Sequence, residues 1–254
     1  MSSLAIAGIM FGCILAGTLL GMLVQRLLPV HHLSAESKEA VKSGLALIAT
    51  LTALVLGLLV ATTKGTYDAQ SAAVKDMAAN AALLDRIFVR YGDDAKECRE
   101  MLAGVVKSML DHMWPEQSGK HADLSAVEAR GAGELLFDKV SALDTKNDAK
   151  KQLLKSRAME IMISMGQTRQ RLLVQKESSI PTPFLVVLGF WLTILFGSYG
   201  LLAPRNATVY VVLVVCMLSV VGALFLVLEM DRPFDGIIRV PSAPLREVLN
   251  RFGE

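Results

Sequence analysis

Charged side chains gather abruptly at the end of a long apolar stretch: Leu228-Glu229-Met230-Asp231-Arg232-Pro233-Phe234-Asp235-Gly236. Three carboxylates beside one guanidinium are the residue types that bind cations. Repeated around a ring of copies, they would set the potential at a pore mouth. The same residues also fit a helix end emerging into water, with Arg232 pairing locally. Pro233 and Gly236 impose a specific turn, however, and Phe234 sets an aromatic ring among charges where a solvated tail has no use for one.

A second group is defined by size rather than charge. Ala46, Thr50, Ala53, Gly57 and Ala61 recur at helical spacing along one apolar segment, and Gly8, Gly12, Ala16, Gly17 and Gly21 along another. Small residues let helix backbones approach closely in lipid, where packing rather than hydrophobicity drives association. One reading packs the two stripes together as a tight hairpin. The other lines a narrow pore with the Thr50 face: Thr50, Ala46, Ala53 and Gly57. No nucleophile–base pair, phosphate-cradling glycine loop or zinc spacing occurs. Cys13, Cys98 and Cys216 have no partner at metal or redox spacing and read as small hydrophobes. His31 and His32 are adjacent and so point to different sides of any regular element, which suits a solvated loop. An enzyme, a cofactor and a metal site are therefore not expected.

The elements that carry these residues are mostly apolar. The chain is 53% hydrophobic and 20% charged, with a mean hydropathy of +0.46, which is too apolar for an ordinary soluble domain. Four segments, 4–24, 44–61, 184–202 and 209–228, are long enough to cross a hydrocarbon core of ~30 Å as helices. No Lys or Arg precedes the first, so it lacks the basic start of an export signal and reads as a retained span. The link Ala203-Pro204-Arg205-Asn206-Ala207-Thr208 is so short that the last two spans must form an antiparallel hairpin.

Residues 64–179 differ in kind: highly charged, with the two signs nearly balanced. Such a block cannot sit in lipid. The interspersed signs also give no basic face for nucleic acid. The second span is expected to run on into it, because Tyr67, Gln70, Val74, Met77, Ala81, Leu84, Phe88 and Tyr91 alternate by three and four as a heptad seam. Gly92-Asp93-Asp94 then stops the helix. A second helix carries Cys98, Leu102, Val105, Met109 and Met113 on its apolar face, followed by a loop over 116–123. A third, 124–143, is expected to break near Gly131–Gly133. A fourth opens at Thr145 and Asp148 with the seam Leu154, Ala158, Ile161, Met165, Thr168 and Leu172. After the acidic motif, residues 242–252 form a short amphipathic helix suited to the membrane surface or to docking on the helical block.

Basic residues flank the spans more densely on the side of the helical block and the C-terminal tail. The positive-inside rule therefore places that block and both termini in the cytoplasm. The expected fold is all-α: four transmembrane helices in two hairpins with an inserted cytoplasmic, coiled-coil-like helical domain. Its parts are a membrane hairpin at 1–63, the helical domain at 64–179, a second hairpin at 180–228 and a tail at 229–254.

The 228–240 sequence, with Ser242-Ala243-Pro244-Leu245 after it, resembles the signature of the bacterial bestrophin-like membrane family. The resemblance extends over nearly the whole chain, through the two-span start, the helical insert and the hairpin around Ala203–Asn206. It implies likeness to bestrophin chloride channels, which are pentamers with an apolar, Phe-rich neck and an acidic calcium clasp. Pro181-Thr182-Pro183-Phe184 is a faint counterpart of that neck, and Glu229–Asp235 does not map onto the clasp. The leading expectation is a homo-oligomeric inner-membrane ion channel in contact with lipid. The alternative is a non-conducting scaffold or signalling protein whose helical domain recruits a cytoplasmic partner.

Overall fold

A computed structural model describes residues 2–27, 35–114, 126–145, 148–174, 180–204, 206–234 and 236–252. His31, His32, Arg205, Asp235 and the 116–123 loop lie outside these. Among the described residues the regular structure is helical, with no strand. The helices are α1 (Ser3–Leu27), α2 (Ala35–Tyr91), α3 (Lys96–Met113), α4 (Ala126–Ser141), α5 (Ala149–Val174), α6 (Thr182–Leu202), α7 (Ala207–Met230) and α8 (Ala243–Arg251). A single 3-10 turn at Asp93–Ala95 separates α2 from α3. The chain divides into two compact units. One takes Met1–Thr66, Ser178–Arg232 and Gly236–Ile238; the other takes Tyr67–Glu177, Pro233–Asp235 and Arg239–Glu254.

In the first unit α1, α6, α7 and the opening half of α2 are each long and apolar enough to cross a membrane. Helix α1 packs chiefly on α6 and secondly on α7. Glycine makes the α1–α6 approach possible. A Cβ on Gly21 would collide with the Gly197 carbonyl, one on Gly200 with the Thr18 carbonyl, and one on Gly17 would lie 2.6 Å from Thr193. Met10 sits against Gly189 at one end of the pair and Gly21 against Gly197 at the other, so the two helices run parallel. Gln25 Nε2 donates to the Ala203 carbonyl at 2.8 Å, while Ser3 Oγ donates to the Leu228 carbonyl at 3.4 Å. The start of α1 and the end of α7 therefore share one side of this unit, and the α6–α7 link lies on the other.

The expected packing of spans one and two through their small residues is not what those residues do. Gly8, Gly12 and Ala16 are exposed, as are Ala46, Thr50, Ala53, Gly57 and Ala61. A Cβ on Gly8, Gly12 or Gly57 would meet nothing within 4 Å. Gly17 and Gly21 serve α6 instead.

In the second unit the α2 seam is buried from Gln70 to Tyr91, with Tyr67 partly so. No proline interrupts α2. The α2–α3 corner turns at Gly92, whose φ of 101° suits glycine. Tyr91 Oη donates to the Asp144 carbonyl at 2.9 Å, and Lys151 pairs with Asp94 at 2.6 Å. Burial pushes the Tyr91 phenol up, and the hydrogen bond Lys151 donates to Asp94 raises the Lys151 ammonium. Asp148 caps α5, accepting from the Lys150 amide at 2.8 Å.

Two details of this unit differ from expectation. The buried stripe of α3 is Cys98, Leu102, Val106 and Leu110, with Val105, Met109 and Met113 only flanking it. Helix α4 runs unbroken through Gly131 and Gly133, because neighbouring helices supply the packing that outweighs glycine's low propensity. Helix α8 buries Leu245 and Val248 in the core of this unit and packs on α3, so of its two expected roles it takes docking on the helical block.

Gly21→Leu should therefore cost about 3 kcal/mol or more through overpacking against backbone that cannot yield. Gly222→Leu, where an added Cβ meets nothing, should cost far less. Thermal unfolding of the detergent-solubilised variants measures the difference, and equal losses would contradict the α1–α6 packing.

Candidate functional site

Helix α7 is apolar to its last turn and then ends. The Asp231 amide still bonds back to the Val227 carbonyl at 3.1 Å, and the Arg232 amide to Glu229 at 3.2 Å. Glu229 is only 3% exposed. A carboxylate taken from water needs hydrogen-bond donors, and Glu229 Oε1 accepts one from the Ile237 amide. Gly236 stands immediately before that amide with φ +153°, and a Cβ on it would lie 2.5 Å from the same oxygen. The motif's spacing thus has a physical reason. Glu229 closes the turn that follows α7, and only glycine leaves room for it.

Pro233 and Phe234 belong to the helical unit, as do the residues from Arg239 onward. The Val240 amide donates to the Pro233 carbonyl at 2.7 Å, closing the 233–240 loop. Trp114 Nε1 donates to the Val240 carbonyl at 2.9 Å, and its ring meets Phe234 edge-to-face at 5.6 Å. Tyr67 Oη donates to the Arg239 carbonyl at 3.1 Å. Phe234, Val240 and Trp114 are all buried. The aromatic side chain that a solvated tail would not need is therefore part of the core. Trp114 and Tyr67 are partners the motif alone does not reveal; each is an amphipathic ring whose polar tip, once buried, requires an acceptor.

The charges are arranged differently from a local pairing around Arg232. Asp231 is half-buried and Arg232 exposed. Among the described residues Arg232 makes no ion pair. No three His, Cys, Asp or Glu side chains gather as a metal-ligand set among them either. The pore-lining candidates lie on one exposed face of α2, where Thr50 Oγ1 donates to the Ala46 carbonyl at 2.9 Å. Elsewhere around the same helix Leu45, Thr52 and Thr63 are buried, while Leu47, Leu51, Leu54 and Leu58 are exposed.

Gly236→Ala should destabilise the protein by about 1–3 kcal/mol, from a strained φ and displacement of the Glu229 carboxylate. Trp114→Phe should cost about 1 kcal/mol by leaving the Val240 carbonyl short of a donor. Arg232→Ala should be close to neutral. Denaturant unfolding of the solubilised protein ranks the three, and Arg232→Ala as the most damaging would contradict this account.

The sequence profile of the bestrophin-like domain matches residues 12–245. Comparison with curated proteins finds no match. Two single-point mutants of a bacterial bestrophin homologue from Klebsiella pneumoniae, solved by crystallography, share the fold. The first superimposes with a TM-score of 0.67 at 13% identity, over 94% of this chain and 97% of that one. The second gives 0.65 at 12% identity, over 96% and 99%. With four apolar helices, the helical fold and the domain match over nearly its whole length, this multi-pass membrane protein belongs to the bestrophin-like family.

Proposed function

We propose that several copies of this chain assemble in the bacterial inner membrane as an ion channel, with the Thr50 face of α2 nearest the shared axis. The observation that carries this reading is the exposure of Ala46, Thr50, Ala53, Gly57 and Ala61 at helical spacing along one face of α2. Four spans with so few polar residues cannot enclose a wide hydrophilic path alone, so permeation requires several copies. Helix α1 is committed to α6 through backbone contact, and α6 and α7 present large apolar side chains such as Val186, Phe190 and Val211 to lipid. Helix α2 combines a small-residue face, the Thr50 hydroxyl and direct continuity with the helical unit.

Membership of the bestrophin-like family supports a channel of that type rather than an enzyme. The Ser3–Leu228 bond is consistent with termini on one side of the membrane, and the basic flanks assign that side to the cytoplasm. The acids at 229–235 would then lie at the cytoplasmic mouth, where a ring of them biases the local potential.

Thr50→Trp fills the proposed constriction. Purified protein reconstituted in planar bilayers should pass current, and this substitution should abolish it while native mass stays unchanged. If the wild-type assembly passes no current across voltage, pH and calcium, the chain is a non-conducting scaffold whose helical unit recruits a partner.

A further inference from the structure

The helical unit contains a cavity of about 430 Å³ whose lining includes no residue of the acidic motif. Leu84, Leu102 and Leu136 form an apolar floor, each less than 3% exposed. Met109, Met162 and Met165 line the walls, partly buried. Gly133 of α4 and Gly166 of α5 border open space, where an added Cβ at either meets nothing within 4 Å. The volume falls in the range of about 300–1,000 Å³ typical of small-molecule sites. Methionine walls are adaptable and polarisable, and fit an apolar body without demanding one shape.

The polar lining gives the cavity a sign. Glu134 and Asp138 stand one turn apart on α4, both exposed, with Phe137 between them in sequence. Neither carboxylate makes an ion pair among the described residues. Arg169, the cation of the lining, has an interaction of its own within the protein, and the acids of the lining outnumber it two to one. Two carboxylates and an aromatic ring beside an apolar chamber match a cation bonded to a hydrophobic body, since each attracts positive charge.

We propose that this cavity binds a hydrophobic organic cation, its ammonium at Glu134 and Asp138 and its apolar part among Met109, Met162 and Met165. The site is independent of ion conduction, so it stands or falls apart from the channel reading.

The test is equilibrium binding of tritiated benzyltriethylammonium to the full-length protein in nanodiscs, with empty nanodiscs subtracted. Saturable binding at one site per chain is expected. The double variant Glu134→Gln/Asp138→Asn should weaken it at least about fivefold. Gly166→Phe should abolish it by filling the chamber. Unchanged thermal midpoints would confirm folding, and the charge variant alone decides if Gly166→Phe does not fold. The anion 4-phenylbutyrate should bind no more than to empty nanodiscs. No saturable binding to wild type, equal binding by the charge variant, or preferential uptake of the anion would each overturn the proposal.

Discussion

The membrane unit depends on one close approach, backbone against backbone, between α1 and α6. Hydrocarbon surrounds these helices on every side, so burying apolar surface gives little net drive, and association rests on packing that only small residues permit. Gly17, Gly21, Gly197 and Gly200 supply it, and any larger residue at Gly21 or Gly200 would strike a carbonyl. Once α1 and α6 are joined, α7 packs beside α1. The membrane part of α2 buries Leu45, Thr52 and Thr63 and leaves exposed both a leucine face, at Leu47, Leu51, Leu54 and Leu58, and a small-residue face. The small-residue face is the one the proposed channel turns toward its axis.

The acidic motif follows a different logic, in which a charge is buried in order to shape the backbone. Glu229 meets the Ile237 amide, and Gly236 cannot carry a side chain because the carboxylate occupies its space. Buried backbone carbonyls of the following segment find their donors on two aromatic residues, Tyr67 for Arg239 and Trp114 for Val240. An unmet carbonyl at either place would cost about 1–3 kcal/mol. The conspicuous charges of the motif thus have unequal work: Glu229 is architectural, while Arg232 faces outward.

Much of the fold was legible because periodicity and length report directly on burial. The 67–91 seam emerged residue for residue, and three of the four apolar segments matched candidate spans to within a few positions, while the second lies inside the much longer Lys38–Tyr91 helix. Glycine was the weak point. The same residue type marks a helix break, a close contact or an open cavity wall, and the sequence does not distinguish them. Gly131 and Gly133 read as a break yet lie in a continuous helix, with Gly133 lining a cavity. Gly8 and Gly12 read as contact residues yet face open space, while the α6 glycines, hidden among Phe, Trp and Tyr, make the contact. For the motif, the turn was legible from Pro233 and Gly236, and Phe234 stood out as an aromatic that a solvated tail does not need. Trp114 was not, because its distance in sequence from Val240 carries no periodic signal.

The central claim, that the small-residue face of α2 meets its counterparts around a common axis, is most directly tested by distance. Single spin labels placed at Ala53 or at Val186 on α6, one per chain, report separations between copies by pulsed electron resonance in nanodiscs. The account predicts a defined label-to-label distance at Ala53 that is clearly shorter than at Val186. Equal distances, a longer distance at Ala53, or no interaction between copies would contradict it.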